Sequence, residues 1–374
     1  MRILYFSRSY TTHDRRFLVE LAASPHEVWY LRLQNEGTEY ERRPVPAGII
    51  ELAPLGGGDA LVSPEQWIRM APRLETVLEQ ARPDLVHAGA IQTGAFLTAL
   101  VGFRPLLAMS WGSDILVDAG RDEFWTWMTR YALRRSSMLV SDCTEVSEAA
   151  IRIGGLDAGR IVQFPWGVDL QRFRSGPDTL HLRLRPGWEG SAVVLCTRSW
   201  EPRYGVLHLL NAFWLARQKM PRLKLVLLGS GSQQGDVWQF VREKGLEEAV
   251  LLPGATPPEQ LPDYFRAADV YASCAYSDGS SISLLEAMAT GLPVLATDRA
   301  SNREWVASAE HGLLAPFGDP PAIAEALLEL AAVSPQRRRA IAACNRAIIE
   351  QKADWKRGMA KLLAAYSALR PDLA

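Results

Sequence analysis

Hydrophobic and polar positions follow two alternating patterns along most of the chain. Short runs of consecutive apolar residues are typical of strands buried on both faces of a parallel sheet, and longer stretches with a helical repeat are typical of amphipathic helices. Strands are predicted over residues 3–7, 27–33, 83–88, 106–109, 136–143, 160–164, 192–197, 223–228, 250–252, 270–273 and 294–297. Helices are predicted over residues 17–23, 64–80, 94–101, 206–217, 259–267, 283–289, 321–332, 335–351 and 354–369, and residues 10–16 are predicted to be a polar loop.

This alternation predicts an α/β fold made of two domains. Strands that alternate with helices indicate βαβ units and parallel sheets. The pattern occurs twice, and residues 174–189 between the two halves have the glycine and proline content of a linker. We therefore predict one domain over residues 1–172, a second over residues 173–352, and a terminal helical segment over residues 353–374.

The stretch over residues 277–298 carries the most informative chemistry. A polar loop leads from a predicted strand into a helix that ends at Gly291. Ser280, Ser281 and Ser283 are candidates to cap this helix. Its first N–H groups carry partial positive charge, so the helix start is a site that favours a phosphate group.

Two acids lie close to this helix start, Asp278 in the loop and Glu286 inside the helix. A phosphate repels a carboxylate, but a carboxylate can accept hydrogen bonds from two vicinal sugar hydroxyls. The pair therefore indicates a ligand with both phosphate and sugar. The alternative is that Asp278 only complements the helix dipole and Glu286 is a solvated helix residue. These residues alone leave both interpretations open.

The same stretch resembles the acidic motif of retaining glycosyltransferases of family 4, which have the GT-B fold. That motif is Glu, seven residues, Glu, then Ala-Met-Ala-x-Gly-x-Pro-Val, and this chain departs from it by having Asp278 at the first position. The resemblance implies that Glu286 binds the ribose of a nucleotide and that Asp278 binds the donor hexose. It also implies two doubly wound Rossmann-like domains that face each other across a cleft. The donor-binding loop and helix start would comprise Gly279, Ser280, Ser281, Ile282 and Ser283.

Three further segments of the second half match the donor side of this family. Arg198 and Arg203 have the spacing of two cations that hold the donor diphosphate, and paired guanidinium groups can stabilise a diphosphate as it leaves. The alternative is that both are solvated surface arginines. Gly229 begins a turn that we interpret as letting the backbone approach the ligand. Gly254 and Ala255 match the backbone that cradles the nucleobase, and by resemblance the commonest donors are UDP-sugars.

The first half offers fewer recognisable residues. Residues 111–114 resemble the His-Gly-Ser-Asp of the family, with Trp111 in place of a His near the reacting centre and Asp114 at the fourth position. An indole cannot act as a base, so Trp111 is expected either to stack on a sugar ring or to fill the core. His13 and Asp14 then become candidates to contact the acceptor or the leaving group. An exposed loop residue is the alternative for His13.

Composition narrows the functional classes. Hydrophobic residues make up 48% and charged residues 22% of the 374 residues, as in ordinary globular proteins. The net charge is −1, which gives no global field for nucleic acid, and no nucleic-acid partner is expected. The four cysteines are isolated, and neither a signal peptide nor a spanning apolar stretch is evident, so a cytoplasmic location is expected.

Two clusters of aromatic residues have open interpretations. Residues 124–137 mix three aromatic residues with three arginines, which fits either peripheral docking on a membrane or a helix with a core face and a solvated face. In the GT-B fold the final helix returns to the first domain, so Trp355 and Tyr366 are candidates for that contact. The alternative is that both are ordinary aromatic residues of a helix face.

Taken with these residues, the resemblance implies a retaining, metal-independent hexosyltransferase without a cofactor. Its candidate catalytic residues are Asp278, Arg198, Arg203 and His13. By resemblance, the leaving phosphate itself takes the proton of the acceptor hydroxyl. The acceptor, whether glycan, glycolipid or small molecule, and the oligomeric state are not indicated. The alternatives are a nucleotide-sugar epimerase or phosphorylase of the same fold, and a sugar-nucleotide-binding protein that has lost turnover.

Overall fold

The structure of the protein is a computed structural model, and it describes residues 1–35, 41–57 and 61–373. The chain divides into two compact units. The first contains Met1–Pro165 together with the chain from Arg357 onward, and the second is Trp166–Lys356. The predicted domain limits at residues 172 and 352 lie a few residues from these divisions.

The first unit is built around one parallel sheet. Its strands are β1 (Arg2–Ser7), β2 (Glu27–Arg32), β3 (Ile49–Glu51), β4 (Leu85–Ala88), β5 (Leu106–Met109), β6 (Met138–Ser141) and β7 (Ile161–Gln163). Within the described residues they are arranged in the order β3-β2-β1-β4-β5-β6-β7. The central strand β1 pairs Tyr5 with Tyr30 of β2 on one side and with His87 of β4 on the other. The strand order therefore reverses beside β1, and open α/β sheets bind ligands at the carboxyl ends of strands at such points.

Helices cover this sheet. They are α1 (Thr12–Ala22), α2 (Pro64–Ile68), α3 (Ala71–Ala81), α4 (Phe96–Leu100), α5 (Ser113–Leu116), α6 (Glu123–Arg135) and α7 (Thr144–Gly154). A π-helical turn over Ile91–Ala95 leads directly into α4. The apolar core beneath them contains residues from the strands and from the inner faces of the helices, such as Phe6, Phe96 and Leu133.

Two local predictions for this unit are wrong. Residues 10–16 are not a loop, because α1 already begins at Thr12: the Thr11 side chain accepts a hydrogen bond from the Asp14 backbone, and the Asp14 side chain accepts one from the Thr11 backbone. The single helix predicted over residues 64–80 is two helices, and Pro72 lies in the first turn of the second. A proline is tolerated in a first turn but not inside a helix, which explains the break.

The second unit repeats the architecture. Its strands are β8 (Ala192–Cys196), β9 (Leu223–Leu228), β10 (Val250–Gly254), β11 (Val270–Ser273), β12 (Val294–Thr297) and β13 (Gly312–Ala315). In the described part of the chain they form a parallel sheet in the order β10-β9-β8-β11-β12-β13. Two parallel sheets with helices confirm the predicted α/β class, while β3, α5, α7, β13 and the helices Gln234–Glu243 and Ala300–Arg303 of this unit escaped prediction.

The helices of this unit follow its strands. They are α8 (Val206–Lys219), α9 (Gln234–Glu243), α10 (Leu261–Ala267), α11 (Ile282–Thr290), α12 (Ala300–Arg303), α13 (Pro320–Ala331) and α14 (Pro335–Lys352). Helix α11 is rich in Leu, Ala and Met and ends, as predicted, at Gly291, whose φ of 90° lies in the left-handed region. The side chains that α11 buries, including Leu284 and Met288, pack in the apolar core of the unit.

The last helix, α15 (Trp355–Leu369), begins in the second unit and continues in the first. The Tyr366 ring is buried in the first unit, where its hydroxyl lies 2.7 Å from Nδ1 of His87. Trp355 belongs to the second unit, and its backbone N–H donates to the carbonyl of Val168. Of the two aromatic candidates, Tyr366 therefore makes a contact within the first unit.

Candidate functional site

The acidic loop and the first arginine lie at the ends of neighbouring strands. β8 and β11 are adjacent in the sheet, with Leu195 opposite Tyr271. Arg198 follows β8 and Asp278 lies in the loop after β11. Because the carboxyl ends of parallel strands meet at one edge of a sheet, two residues about 80 positions apart in sequence come into contact there.

Arg198 is the centre of a polar cluster. Its Nη2 atom lies 2.8 Å from Oδ2 of Asp278, with 11% of the arginine side chain and 23% of the aspartate side chain exposed. Its Nη1 donates to the hydroxyls of Ser281 at 3.0 Å and Ser283 at 3.2 Å. Ser283 also accepts a hydrogen bond from the hydroxyl of Tyr271 at 2.6 Å. Residues from β11, its following loop and α11 thus fix this guanidinium group.

The charge of Arg198 is firmly maintained. Burial is the largest single influence and by itself lowers the pKa of the guanidinium, but the Asp278 carboxylate together with Tyr204, Tyr271 and Cys196 outweighs it, so the pKa of Arg198 lies above its ordinary value. The side chain is little exposed, so the ion pair is screened less than a surface pair. The cluster therefore presents a permanent, pre-oriented cation at this edge of the sheet.

The serines do not act as predicted at the helix start. Ser281 is the N-terminal capping residue of α11 by position, but its side chain makes no capping hydrogen bond. Its hydroxyl and that of Ser283 instead accept from Arg198. Ser280 is buried beside them. The hydroxyls of Ser281 and Ser283 therefore orient the arginine, and the capping role predicted for Ser281 is wrong.

Tyr204 links the two predicted phosphate-binding arginines. The Cζ atom of Arg198 lies 4.1 Å from the centroid of its ring, and the Cζ atom of Arg203 lies 4.7 Å from the same centroid. Arg203 is exposed and lies in a short 3₁₀ turn, Pro202–Tyr204. Attraction between a cation and the face of an aromatic ring orients both groups. Tyr204 was not predicted from the sequence, although an aromatic residue directly after Arg203 is the signal that could have identified it.

The loop that carries Asp278 is held by backbone contacts. The Tyr276 N–H donates to the carbonyl of Arg203 at 2.7 Å, which joins the two loops. The hydroxyl of Ser301 donates to the carbonyl of Asp278 at 3.0 Å. The side-chain amide of Asn302 donates to the carbonyl of Thr297. The Asp278 backbone is therefore fixed from two neighbouring elements.

The remaining predicted residues of the acidic stretch lie along the same loop and helix. Gly279 is buried just before α11, and Ile282 is the first residue of the helix. Glu286 is half-buried on α11, and its carbonyl accepts a hydrogen bond from Thr290. The contacts predicted for these three residues with a nucleotide remain predictions.

The lack of a side chain at Gly229 lets two loops pack together, in addition to any approach of a ligand. Its φ is 110°, and a Cβ there would meet the carbonyl oxygen of Arg198 at 2.5 Å. Next to it, the buried Trp200 indole donates to the carbonyl of Leu228 at 3.1 Å. Gly229 therefore lets the loop that carries Arg198 pack against the end of β9. Trp200, which contributes to this contact, was not predicted from the sequence.

Gly254 and Ala255 lie at the end of β10. The carbonyl of Gly254 accepts a hydrogen bond from the N–H of Gly229 at 2.9 Å. Its φ is 82°, and among the described residues no heavy atom lies within 4 Å of the position of a Cβ at Gly254. Ala255 is exposed. The backbone at this point thus has space beside it, as a nucleobase cradle requires.

In the first unit, His13 and Trp111 lie together. The ring centroids are 5.6 Å apart, and the Phe17 ring contacts the indole edge-to-face at 6.1 Å. Both His13 and Trp111 are half-buried. His13 projects from the first turn of α1 and not from a loop. The structure therefore unites two of the four predicted residues of this unit in one aromatic pair.

The two acids predicted on the acceptor side are buried and bonded internally. Asp14 accepts hydrogen bonds from Tyr5 and Thr11, and burial raises the pKa of its carboxyl to about 6. Asp114 accepts from the Ser110 hydroxyl and from the N–H groups of Ile91 and Trp111, while burial raises its pKa. Both acids hold segments that carry His13 or Trp111. Direct contact of either acid with an acceptor stays a prediction that these bonds do not favour.

Among the residues that the structure describes, no group of three or more His, Cys, Asp and Glu side chains is placed to hold a metal ion. No helix over residues 1–35, 41–57 and 61–373 has the length and apolar character needed to cross a membrane.

Family models match both halves of the chain. Residues 10–167 match the model described as "Glycosyl transferase 4-like domain", and residues 183–346 match "Glycosyl transferases group 1". The chain belongs to the group 1 glycosyltransferases with the GT-B fold, as the acidic motif predicted. The second match contains Arg198, Asp278 and Glu286, so the cluster described above lies within it.

Curated relatives include glycosyltransferases of different substrates. The chain is 26% identical over 326 residues to the GDP-mannose-dependent alpha-(1-6)-phosphatidylinositol monomannoside mannosyltransferase of Mycolicibacterium smegmatis, covering 83% of this chain and 82% of that protein. It is 30% identical over 190 residues to the D-inositol 3-phosphate glycosyltransferase of Nocardia farcinica, covering 49% of this chain and 42% of that protein.

Solved structures share the fold over the whole chain. Anabaena Alr3699/HepE in complex with UDP superimposes with a TM-score of 0.78 at 20% identity, covering 99% of this chain and 100% of that one. Sucrose-phosphate synthase of Thermosynechococcus elongatus has a TM-score of 0.80 at 19% identity, covering 100% of both chains. At these identities the similarity establishes the fold.

Proposed function

We propose that the protein transfers a hexosyl unit from a nucleotide-sugar of the UDP-sugar class to an acceptor hydroxyl, with retention of anomeric configuration. The observation that carries the proposal is the cluster of Arg198, Asp278 and the start of α11. It combines a permanent cation for a diphosphate with a carboxylate that can accept hydrogen bonds from sugar hydroxyls.

The proposed reaction breaks the bond between the anomeric carbon and the diphosphate and forms a bond to the acceptor oxygen on the same face. The proton of the acceptor hydroxyl passes to an oxygen of the leaving phosphate. Arg198, Arg203 and the N–H groups at the start of α11 stabilise the charge that develops on that phosphate. Asp278 holds the hexose and Glu286 the ribose. No metal ion and no cofactor are required.

The donor and acceptor are tested together. The protein is incubated with UDP-glucose, UDP-N-acetylglucosamine or GDP-mannose, and with acceptors that include inositol phosphates, phosphatidylinositol lipids and glycans. GDP-mannose and the inositol compounds are included because the names of the relatives contain them. Mass spectrometry identifies a glycosylated acceptor, and NMR of the new linkage establishes its anomeric configuration.

The outcomes separate the alternatives. A glycosylated product with the anomeric configuration of the donor supports the proposal, and product made only from GDP-mannose would correct the nucleotide. An altered free nucleotide-sugar would indicate an epimerase, and a sugar phosphate formed with inorganic phosphate would indicate a phosphorylase. Binding of a nucleotide-sugar without any product from any acceptor would indicate a binding protein that has lost turnover.

A lipid acceptor fits one surface of the first unit, on the cytoplasmic side of a membrane. On α6 the rings of Phe124 and Trp127 are stacked with centroids 5.6 Å apart, and 40% and 45% of these residues are exposed. The same helix carries Arg130, Arg134 and Arg135. Exposed aromatic residues beside arginines suit an anionic lipid surface. Cosedimentation with vesicles containing anionic lipid should fall when Trp127 is changed to Ser, and unchanged cosedimentation would remove this surface from consideration.

A further inference from the structure

The hydrogen bonds of Arg198 leave one edge of its guanidinium group for a ligand. Both N–H groups of Nη1 are directed to Ser281 and Ser283. The remaining donors are Nε and the two N–H groups of Nη2, and Nε and Nη2 together form the fork that binds a phosphate with two parallel hydrogen bonds. Within the residues that the structure describes, the buried Nε has no hydrogen-bond partner. This fork is therefore the part of Arg198 that a diphosphate would use.

Asp278 lies on that same edge. Its Oδ2 is 2.8 Å from Nη2 of Arg198, and the contact is an ion pair without the alignment of a hydrogen bond. A phosphate oxygen that bonds to both Nε and Nη2 would come close to this carboxylate. The Ser301 hydroxyl holds the backbone carbonyl of Asp278, which keeps the carboxylate at this edge of the sheet, and the two negative groups would repel one another.

We propose that Asp278 competes with the diphosphate for Arg198, so that it opposes binding of a nucleoside diphosphate without a sugar and promotes its release. This inference rests on the proposed function. In the intact donor, sugar hydroxyls donate hydrogen bonds to the carboxylate and offset the repulsion. After transfer the hexose is gone and the terminal phosphate carries more negative charge, so the same carboxylate favours departure of the product.

Competition and contact with the sugar alone predict different effects of an Asp278 substitution on the affinity for nucleoside diphosphate. In that case the Asp278→Asn change would leave the affinity for nucleoside diphosphate nearly unchanged. Competition for Arg198 predicts instead that Asp278→Asn binds UDP or GDP about tenfold more tightly, because the neutral amide is of similar size but does not repel phosphate. Turnover of the intact donor falls, and inhibition by the product nucleotide strengthens by a similar factor.

Calorimetric titration with UDP and with GDP tests this on the full chain. The variants are Asp278→Asn, Glu286→Gln and Asp298→Asn. Asp298 is a matched control, because it also follows a strand of the same sheet and forms an ion pair, with Arg303, outside the cluster. Glu286→Gln should weaken binding about tenfold, and Asp298→Asn should leave it within about twofold. Thermal unfolding of each variant confirms that it is folded.

The results distinguish the two proposals. If the unaltered protein binds neither UDP nor GDP, the donor site itself is wrong and the proposed function fails. If the unaltered protein binds one of them and Asp278→Asn binds it equally or more weakly, the competition is wrong while the donor site stands. Tighter binding by Asp278→Asn, with Asp298→Asn unchanged, supports it.

Discussion

The acidic residues predicted to act at the site differ between the two units. In the second unit, Asp278 is partly exposed and its carboxylate faces a guanidinium group that has donors left over. In the first unit, Asp14 and Asp114 are almost completely buried and accept hydrogen bonds from their own neighbourhood. An acid whose acceptor capacity is already used maintains local structure, whereas an acid that only neutralises a cation can be exchanged for another anion.

This difference indicates where the chemistry of each unit resides. The second unit offers charged groups to a ligand, and the first offers the aromatic pair of His13 and Trp111 supported by buried carboxylates. A sequence motif identifies acidic and basic residues, but it does not distinguish an acid that maintains local structure from one that is available to a ligand. Hydrogen-bond partners and burial are what separate them.

The largest effect is expected for Arg198→Ala. Loss of a pre-oriented donor to the leaving phosphate should lower turnover by about 10²-fold or more, and it would leave Asp278 without its ion-pair partner. Arg203→Ala should also cost about 10²-fold, but with a smaller change in stability because Arg203 is exposed. Steady-state kinetics and thermal unfolding measure both. Full activity of both folded variants would eliminate the diphosphate clamp.

The next effect concerns the buried acid of the first unit. The pKa of Asp14 is raised from 3.8 to about 6 by burial, so between these pH values the folded protein holds a proton that the unfolded chain has released. Its contribution to the free energy of unfolding is therefore complete below about pH 3.8 and is lost as the pH rises through about 6. Between about pH 4.5 and 7 this amounts to about 2 kcal/mol.

Urea unfolding of the protein and of Asp14→Asn at these two pH values measures the contribution. The variant should lack this part of the pH dependence, because an amide does not titrate. Glu79→Gln, at an exposed position of α3, is the control and should keep it. Identical pH dependence in Asp14→Asn and the unaltered protein would show that the carboxyl titrates normally.

A smaller effect is expected at Tyr204. Tyr204→Ala should raise the KM for the donor about tenfold, because both arginines lose the ring that orients them, and Tyr204→Phe should restore it because the ring, and not the hydroxyl, makes the contact. Trp214→Ala removes a ring that contacts Lys244 elsewhere in the unit and should leave the KM unchanged. If Tyr204→Phe is as impaired as Tyr204→Ala, the hydroxyl is the group that matters.

The smallest effect is expected at Trp111. Because its ring packs against His13 and Phe17, Trp111→Phe should keep the activity within about threefold, and Trp111→His should be tolerated. Initial rates with saturating donor provide the measurement. Complete loss of activity in a stable Trp111→Phe variant would instead give the indole N–H a specific part in the reaction.

Local pattern was sufficient for the acidic stretch of the second unit, although β13 and α9 of the same unit escaped prediction. The strand before the acidic loop, the helix that starts at Ile282 and its end at Gly291 all follow from residues close in sequence. Apolar runs and a C-terminal glycine act through nearest neighbours, which is why a single chain reveals them. The family motif likewise lies in one continuous stretch. The capping box of Thr11 and Asp14 was equally local, and it was overlooked because Asp replaces the more usual Glu.

Tertiary structure decided which groups the motif residues contact. The contact of Arg198 with Asp278 depends on the adjacency of β8 and β11, and that strand order is not encoded in any local pattern. The serines were expected to cap a helix, yet the hydroxyls of Ser281 and Ser283 accept hydrogen bonds from Arg198, which lies in a loop distant in sequence. Burial of Asp14 likewise depends on which strands lie beneath α1. Pairings between residues far apart in the chain are set by the packing of whole elements, so only the folded chain determines them.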